Sequence, residues 1–195
     1  MTEALLHTHL RTNPGLAALL DDAAAIALPD AWLVAGALAQ TVWNTLHRFP
    51  PSHGIRDIDL IYHDPSDLSA ESEAAIEARL RRRHAALGLA LDVKNQARVH
   101  LWYQRRFGRA ITPHPSSTAA IATFPTTATA IGISLAPGDP RIHASFGLND
   151  LFALRIRANR NIVSQAVFEA KATRWATLWP RLTIIPWNDE FPSSR

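Results

Sequence analysis

The chain of 195 residues contains no cysteine, so no disulfide can be part of its structure. It also has no apolar run close to the roughly 20 residues that a bilayer-spanning helix needs. Residues 1–7 lack the cationic stretch and apolar core of a secretory signal. These absences together predict a cytoplasmic protein in a reducing compartment, without a membrane partner.

Lysine is nearly absent too, because Lys94 and Lys171 are the only two, and arginine carries almost all of the positive charge. A formal net charge of +3 is too modest to indicate a nucleic-acid partner by itself. The chain has no P-loop, no dinucleotide-binding fingerprint and no Gly-x-Ser-x-Gly elbow. Those familiar nucleotide-binding and hydrolase signatures therefore do not account for it.

Length and an apolar content of 47% predict one globular domain over residues 1–195, with a helical segment over about 1–28. Apolar periodicity and capping residues predict helices over about 14–28, 38–46, 69–87 and 164–178, and one that opens at 147. Strands are predicted over about 31–34, 56–62, 89–93, 129–135 with an end at Pro137, 141–146 and 182–185. Residues 99–107 favour a helix, although alternate apolar residues over 91–101 also fit a strand. The result is a mixed α/β or α+β domain.

Asp57 and Asp59 stand two apart in a predicted strand, so their carboxylates leave the same face. Two neighbouring carboxylates repel, whereas a divalent cation turns the same geometry into a pair of hard oxygen ligands. An isolated Asp-x-Asp is weak evidence, because most matches are ordinary surface or turn acids. The surrounding sequence has to strengthen it.

Two neighbouring segments do so. Upstream, a strand is followed by Gly36 and a helix, an arrangement in which backbone donors and a helix N-terminus approach phosphate. Downstream, Asp92 lies in the next predicted strand, where a third carboxylate completes a two-metal site for in-line displacement. Order and spacing thus favour phosphoryl-type transfer chemistry.

Several segments resemble a bacterial branch of the DNA polymerase β-like nucleotidyltransferases. They are WLVAGALAQTVWN (32–44), DIDLIY (57–62), VKNQARVH (93–100), FPTTATA (124–130), FGLNDLF (146–152), and Trp175 with Trp179-Pro180. The resemblance covers nearly the whole chain from about Trp32, and the succession of segments is far more specific than Asp-x-Asp.

The resemblance implies a nucleotidyltransferase fold, a mixed central sheet flanked by helices. It also implies an enzyme that uses Mg²⁺ to move a nucleotidyl group from a nucleoside triphosphate to an unidentified acceptor, with a small molecule favoured over RNA or protein. By match to the superfamily pattern, Gly36 faces the triphosphate and Asp57 and Asp59 hold both metals. Asp92 holds one metal and helps to activate the acceptor hydroxyl.

The glycine motif departs from the superfamily pattern, because Ala35-Gly36-Ala37 lacks the serine that usually follows the glycine pair. Further along the same segment, three polar side chains are expected to substitute in the phosphate clamp. These are Gln40, Thr41 and Asn44.

A second polar cluster, which includes Lys94, Gln96 and Arg98, follows Asp92 directly. It fits either substrate binding, with Arg98 on phosphate, or a hydrogen-bonded junction between a strand and a helix.

Two other functions remain in competition. A degenerate nucleotidyltransferase fold that binds a nucleotide or a partner protein without turnover is favoured by the altered glycine motif and opposed by the retained carboxylates. A nucleic-acid-binding module would need a stripe of arginines on one surface. The arginine run at 79–83 is explained more simply as a solvated face near a helix C-terminus.

Overall fold

A mixed sheet lies at the centre of the computed structural model, which describes residues 3–88, 90–136, 138 and 140–189. The strands are β1 (Trp32–Val34), β2 (Asp57–Tyr62), β3 (Ala90–Asn95), β4 (Ile131–Ser134), β5 (Ile142–Ala144), β6 (Arg155–Ile156) and β7 (Thr183–Ile184). The main sheet has the order β3-β2-β1-β4-β5, and β6 and β7 form a separate parallel pair. Strands β2 and β3 run parallel, and the other neighbours in the main sheet are antiparallel. The predicted mixed α/β class is confirmed.

Nine α-helices in the described residues surround these strands. They are α1 (Glu3–Leu10), α2 (Pro14–Asp21), α3 (Ala23–Ile26), α4 (Ala35–His47), α5 (Ala70–Arg83), α6 (Val99–Phe107), α7 (Ser117–Ile121), α8 (Asn149–Phe152) and α9 (Gln165–Leu178). Two short 3₁₀ turns cover Ala85–Leu87 and Gln96–Arg98. None of the helices in the described part of the chain is both long enough and apolar enough to cross a membrane.

One face of the sheet packs on the main hydrophobic core. Leu33 of β1 and Leu60 of β2 point into this core and are fully buried. Helix α4 supplies Trp43, whose ring centroid lies 5.5 Å from that of Trp175 and 5.4 Å from that of Trp179. Burying side chains of this size contributes about 1.5–3 kcal/mol each, and the contact fixes α9 against α4.

The opposite face of the sheet, here called the open face, carries much less apolar packing. Its buried apolar cluster consists of Trp32, Val34, Ile61, Ile121 and Ala130. Because strand side chains alternate between faces, Asp57 and Asp59 share this face with Ile61. The open face therefore carries polar side chains next to a small apolar cluster.

Side-chain caps set several helix starts. Asn13 accepts hydrogen bonds from Gly15 N at 2.9 Å and Leu16 N at 3.2 Å, and so begins α2. Ser69 caps α5 through Ser72 N at 3.3 Å. Helix α6 confirms the helical alternative for residues 99–107.

The described structure departs from the predicted elements in a few places. The helix expected over 14–28 is two pieces, α2 and α3, which are separated at Asp22. Helix α3 ends where Ala27 adopts a left-handed backbone. Helix α7 and strand β6 were not predicted, since five and two residues are too short for a periodic signal. Leu89 and Pro137, at a predicted strand start and a predicted strand end, lie outside the described residues. That residues 1–195 form one domain stays a prediction.

Candidate active site

Three aspartates lie next to one another on the open face. Asp57 and Asp59 leave β2 on the same side. Asp92 is the partner of Asp59 in the parallel β2–β3 register. On the other side, Asp59 pairs with Val34, the last residue of β1. The three carboxylates therefore share one patch, at the point where β1 leads into α4.

Asp59 is the most strongly perturbed of the three carboxyl groups. Burial, reinforced by repulsion from Asp57 and Asp92, raises its pKa to about 7 from the ordinary value of 3.8. Lys171 and Lys94 oppose this rise without cancelling it. The charged form of Asp59 is therefore disfavoured in the patch.

Asp92 is held by a lysine from its own strand. Lys94 Nζ donates to Asp92 Oδ1 and, at 2.8 Å, to Glu77 Oε2 of α5. Burial lowers the pKa of Lys94, but the hydrogen bonds to Asp92 and Glu77 outweigh it and raise that pKa overall. The ammonium group is therefore a fixed positive charge at the edge of the carboxylate patch.

The turn from β1 into α4 points a helix N-terminus at the same patch. Ala35 has a φ of 57°, a left-handed conformation that is uncommon for a residue with a side chain. No side chain caps this helix, whose N-cap residue is Val34. A Cβ atom on Gly36 would lie 3.2 Å from the Gln40 side-chain amide nitrogen. The glycine thus keeps the backbone of the first helical turn open to the patch.

Helix α9 brings cations from far along the sequence. Trp175 is buried against Trp43, and Trp179 Nε1 donates to Asn44 Oδ1 at 2.7 Å, so the end of the helix is anchored. One turn before Trp175, Lys171 Nζ lies 5.9 Å from the centroid of that ring. Burial, with repulsion from Arg174, lowers the pKa of Lys171, while Asp59 and Asp57 act in the opposite direction.

These groups surround a space of about 210 Å³, here called the carboxylate cleft. Its lining consists of Ala35, Gly36, Gln40, Gly54, Arg56, Asp57, Asp59, Pro125, Thr129, Lys171, Arg174 and Trp175. Gly54 has a φ of +70°, and a Cβ there would lie 2.7 Å from the Trp179 ring, so only glycine fits at this wall.

A larger space of about 530 Å³, here called the aromatic cavity, adjoins the cleft. Lys171 and Pro125 line both spaces. The remaining lining residues are Lys94, Gln96, Val99, Trp102, Tyr103, Arg106, Phe107, Arg109, His114, Thr123, Phe124, Ile162, Val163, Ser164 and Val167. The open face therefore carries two connected spaces of different character.

A divalent metal fits the donor set of Asp57 and Asp59. Both offer hard oxygen ligands. The raised pKa of Asp59 reflects burial first and repulsion from Asp57 and Asp92 second, and a bound cation would oppose both by stabilising the carboxylate. In the side-chain arrangement of the described residues, no group of three or more His, Asp or Glu residues is placed to hold a metal ion. Asp92 pairs with Lys94 instead. Asp57 and Asp59 are thus the pair whose chemistry suits a metal.

A family model described as nucleotidyltransferase matches residues 21–184. The chain belongs to this nucleotidyltransferase family. Membership implies a nucleoside triphosphate substrate and transfer of its nucleotidyl group, and nucleotidyltransferases generally use divalent metal ions. A search of curated proteins found no match.

Two solved structures resemble this nucleotidyltransferase. One is a protein whose NMR structure is described as revealing a CCA-adding enzyme head domain, with 24% identity, a TM-score of 0.76 and coverage of 94% of this chain and 96% of the other. The other is a tRNA-processing enzyme in apo form I, with 17% identity and a TM-score of 0.50. That match covers 95% of this chain but 45% of the enzyme. At these identities the likeness shows the nucleotidyltransferase fold.

Three residues that the sequence suggested for substrate binding have structural roles instead. Thr41 is fully buried and donates to Ala37 O at 2.8 Å. Asn44 is also fully buried and donates to the carbonyl oxygens of Pro51 and His53 at 3.0 and 2.9 Å. Both are enclosed between α4 and its neighbours, so the structure does not bring them to the cleft.

Arg98 is the third. Its guanidinium pairs with Glu73 Oε1 at 2.7 Å, and its Nε donates to Leu68 O at 3.1 Å. Each partner of the ion pair is 11% exposed, and Glu73 also accepts from Asn95 N at 2.8 Å. This is the hydrogen-bonded junction that the sequence left as the alternative to phosphate binding. Lys94 and Gln96, from the same cluster, do line the aromatic cavity.

The lining residues that the sequence did not indicate include Arg56, Thr129, Lys171 and Arg174. One signal was available, because Lys171 is one of only two lysines in an arginine-rich chain and the other, Lys94, was selected. Arg56 directly precedes Asp57, so its place in the sequence could also have indicated it. Nothing local marks Thr129 or Arg174, whose positions depend on how β4 and α9 pack.

Proposed function

We propose that this nucleotidyltransferase transfers a nucleotidyl group from a nucleoside triphosphate, bound with Mg²⁺ in the carboxylate cleft, to the hydroxyl group of a small-molecule acceptor. One observation carries the proposal. Asp57, Asp59 and Asp92 share one patch of the open face, next to the uncapped N-terminus of α4.

Asp57 and Asp59 are the residues that would hold magnesium. When bound, the ion neutralises charge on the triphosphate and polarises the phosphoryl group under attack. The raised pKa of Asp59 supports this assignment, because a carboxylate repelled by Asp57 and Asp92 gains from a nearby cation.

The triphosphate would lie between the first turn of α4 and the cations of α9. Backbone N–H groups after Gly36 are donors at a helix N-terminus, which favours phosphate. Gln40 adds a side-chain amide to the same wall. Lys171 and Arg174 supply positive charge from the opposite side. In this arrangement they take over the clamp that a serine in place of Ala37 would have supplied.

The acceptor hydroxyl would approach from the side of Asp92. Its oxygen forms a bond to the α-phosphorus, and the bond from that phosphorus to the pyrophosphate oxygen breaks. Pyrophosphate leaves with the electron pair, and the hydroxyl proton passes to the Asp92 carboxylate. Lys94 holds that carboxylate in position through its ion pair.

A small molecule is favoured as acceptor because the aromatic cavity is a bounded space of about 530 Å³. Pockets for single organic ligands fall in the range of about 300–1,000 Å³ and are lined mostly by apolar side chains. The cavity also reaches the cleft at Lys171, so an occupant would lie next to the bound triphosphate.

The test is transfer of label. Purified protein is incubated with each α-labelled nucleoside triphosphate, magnesium and a fractionated cell extract, and products are separated by size. We expect label in a low-molecular-weight product, and at least about a thousandfold loss in an Asp59→Asn variant, since the metal site is central to catalysis.

Asp21→Asn is the matched control, because Asp21 is an exposed aspartate paired with Arg11 in the N-terminal helices. It should transfer label like the wild type. Tight triphosphate binding without transfer in any fraction would instead favour the alternative function, a fold that binds a nucleotide or a partner protein without turnover.

A further inference from the structure

We infer that the aromatic cavity is the acceptor site, and that the acceptor is a small, flat aromatic molecule that carries an acidic group. This inference rests on the proposed function, because it assigns that reaction a second substrate. Lys94, the partner of Asp92, lines the cavity, and Lys171 and Pro125 line both the cavity and the carboxylate cleft. The cavity is therefore linked to Asp92 through Lys94 and to the cleft through Lys171.

One wall of the cavity is built from aromatic rings. Trp102, Tyr103 and Phe107 of α6 form one wall, with Tyr103 and Phe107 ring centroids 4.6 Å apart. Phe124 contributes to the lining from the segment after α7, and Tyr103 Oη reaches Ile162 O at 3.4 Å. Aromatic faces of this kind favour a planar ring through stacked or edge-on contacts.

The charge of the lining has one sign. Arg106 and Arg109 join Lys94 and Lys171 in the wall, and the described residues that line it include no carboxylate. Lys94 is paired with Asp92 and Glu77. Among the described residues, Arg106 and Arg109 have no carboxylate partner, and both are exposed, so an acidic group on a ligand can reach them.

Arg106 lies beside the aromatic wall. Its guanidinium carbon lies 5.5 Å from the Phe107 ring centroid and 6.0 Å from that of Trp102. These distances are at the outer limit of a cation–π contact, and Arg106 is exposed, so its N–H donors remain available to an acid. An anionic aromatic ligand would therefore meet a cation next to the rings.

The same features favour a single small molecule over an RNA strand. Proteins that hold single strands present separate aromatic rings along a groove, one for each successive base. Here Trp102, Tyr103 and Phe107 contact one another, with centroid distances of 4.6–6.4 Å. They form one wall of one cavity and do not form a row of separate stacking positions.

In the reaction, the acid would remain with the arginines while a hydroxyl group of the same molecule points to Asp92. That hydroxyl oxygen bonds to the α-phosphorus, pyrophosphate departs with the electron pair, and the proton goes to the Asp92 carboxylate. The acidic group takes no part in bond breaking and serves only to orient the molecule.

A fluorescence titration tests the ligand class. The probe is anilinonaphthalene sulfonate, an aromatic anion, and phenylnaphthylamine is its uncharged counterpart. We expect the folded wild type to bind the anion more tightly. Arg106→Glu should weaken the anion by about tenfold or more and leave the neutral dye within about twofold, because only the charged contact is lost.

Arg105→Glu is the matched control. Arg105 is the exposed neighbour of Arg106 on α6, but it does not line the cavity. It should change neither dye by more than about twofold, since only long-range screened charge is altered. Equal losses in the two variants, or equal losses of the two dyes in Arg106→Glu, would overturn the proposed charge recognition.

Competition separates the possible occupants. A non-hydrolysable nucleoside triphosphate with magnesium should bind without displacing the anionic dye, because it occupies the cleft. Displacement would mean that the cavity holds the base of the donor and would overturn the acceptor assignment. Displacement by a short single-stranded oligoribonucleotide, followed by its labelling in the transfer assay, would overturn the small-molecule assignment.

The final arm tests acceptors directly, using hydroxybenzoates and the matching neutral phenol in the transfer assay. Labelling of a hydroxybenzoate in preference to the phenol supports the inference, and preference for the phenol contradicts it. The Asp59→Asn variant should still bind the anionic dye. Dye binding that stays intact while even the wild type transfers nothing would refute the proposed function and leave the ligand class of the cavity standing.

Discussion

The carboxylate cleft and the aromatic cavity share Lys171 and Pro125, yet their other walls differ in kind. The cleft combines acids with cations, because Asp57 and Asp59 face Lys171 and Arg174. The cavity combines aromatic rings with cations and, among its described lining residues, has no acid. A metal and a triphosphate need both signs of charge, whereas an organic anion needs only one. Under the proposed function, Lys171 of α9 would therefore contribute to the binding of both substrates.

The largest effect on stability is expected at a residue that belongs to neither space. Arg98→Ala should lower the free energy of unfolding by about 3 kcal/mol, because it leaves the buried Glu73 carboxylate without its partner. The affinity for a nucleoside triphosphate should stay within about twofold of wild type, since no phosphate contact is lost. Urea titration and calorimetry measure the two quantities.

Arg82→Ala is the control, because Arg82 is an exposed arginine of α5, the helix that carries Glu73. Its effect on stability should stay within about 0.5 kcal/mol. If Arg98→Ala left stability unchanged but weakened triphosphate binding, the result would show that Arg98 contacts the substrate.

Lys171→Met is expected to weaken triphosphate binding by about thirtyfold, because a cation shared by the two spaces is removed from a half-buried position. Lys171→Arg should recover most of the affinity, since it keeps the charge. Titration calorimetry with a non-hydrolysable triphosphate and magnesium provides the measurement. Equal affinity in Lys171→Met and the wild type would place the triphosphate away from α9.

Asp59 gives a pH-dependent effect on stability. Because its pKa in the fold is about 7 against an ordinary value of 3.8, the folded state binds this proton more tightly than the unfolded state. Its contribution is therefore fully present at low pH and is lost as the pH rises through 7. Without metal, the wild type should lose about 2 kcal/mol relative to Asp59→Asn between about pH 5 and pH 8.

Thermal melts in chelator at both pH values measure that loss. In chelator at the higher pH, Asp59→Asn should be the more stable protein. Magnesium should make the wild type the more stable one, because metal bound only by the folded wild type adds stability. A variant that is less stable than the wild type in chelator, with a deficit that magnesium does not change, would make Asp59 a structural hydrogen-bond acceptor.

The smallest effect concerns the turn at the start of α4. Gly36→Val should weaken the triphosphate by about fivefold, because a branched side chain obstructs the approach to the helix N-terminus. Gly36→Ala is the milder companion, since its Cβ would press only on the movable end of Gln40, 3.2 Å away. Identical calorimetric affinities for wild type, alanine and valine would show that phosphate does not contact this turn.

The two spaces also differ in how much the sequence reveals about them. Asp57 and Asp59 are two apart in a strand, so local periodicity was enough to put these two on one face. Asp92 joins them only because β3 pairs beside β2 with Asp92 opposite Asp59. The order of helices and strands around them was similarly accessible, because caps such as Asn13 and Ser69 mark helix starts.

The rest depends on packing between distant segments. Thr41 and Asn44 are polar residues on a helix, and their partners are known only from the fold. Thr41 bonds to Ala37 O and accepts from Asn13, whereas Asn44 bonds to Trp179 and to the 51–53 loop. The sequence allows Arg98 to contact either phosphate or a protein carboxylate, and the position of Glu73 on α5 decides for the carboxylate. Lys171 reaches the aspartates because Trp175 docks on Trp43, which no local pattern predicts.

That docking has a consequence for synthesis of the protein. Translation completes β2, with its two aspartates, long before α9 emerges from the ribosome. A nascent chain that stops before Lys171 already has Arg56 and Lys94 but lacks both cations of α9, so neither space has its full lining. Under the proposed function, a nucleotide would therefore stabilise finished chains and have little effect on unfinished ones.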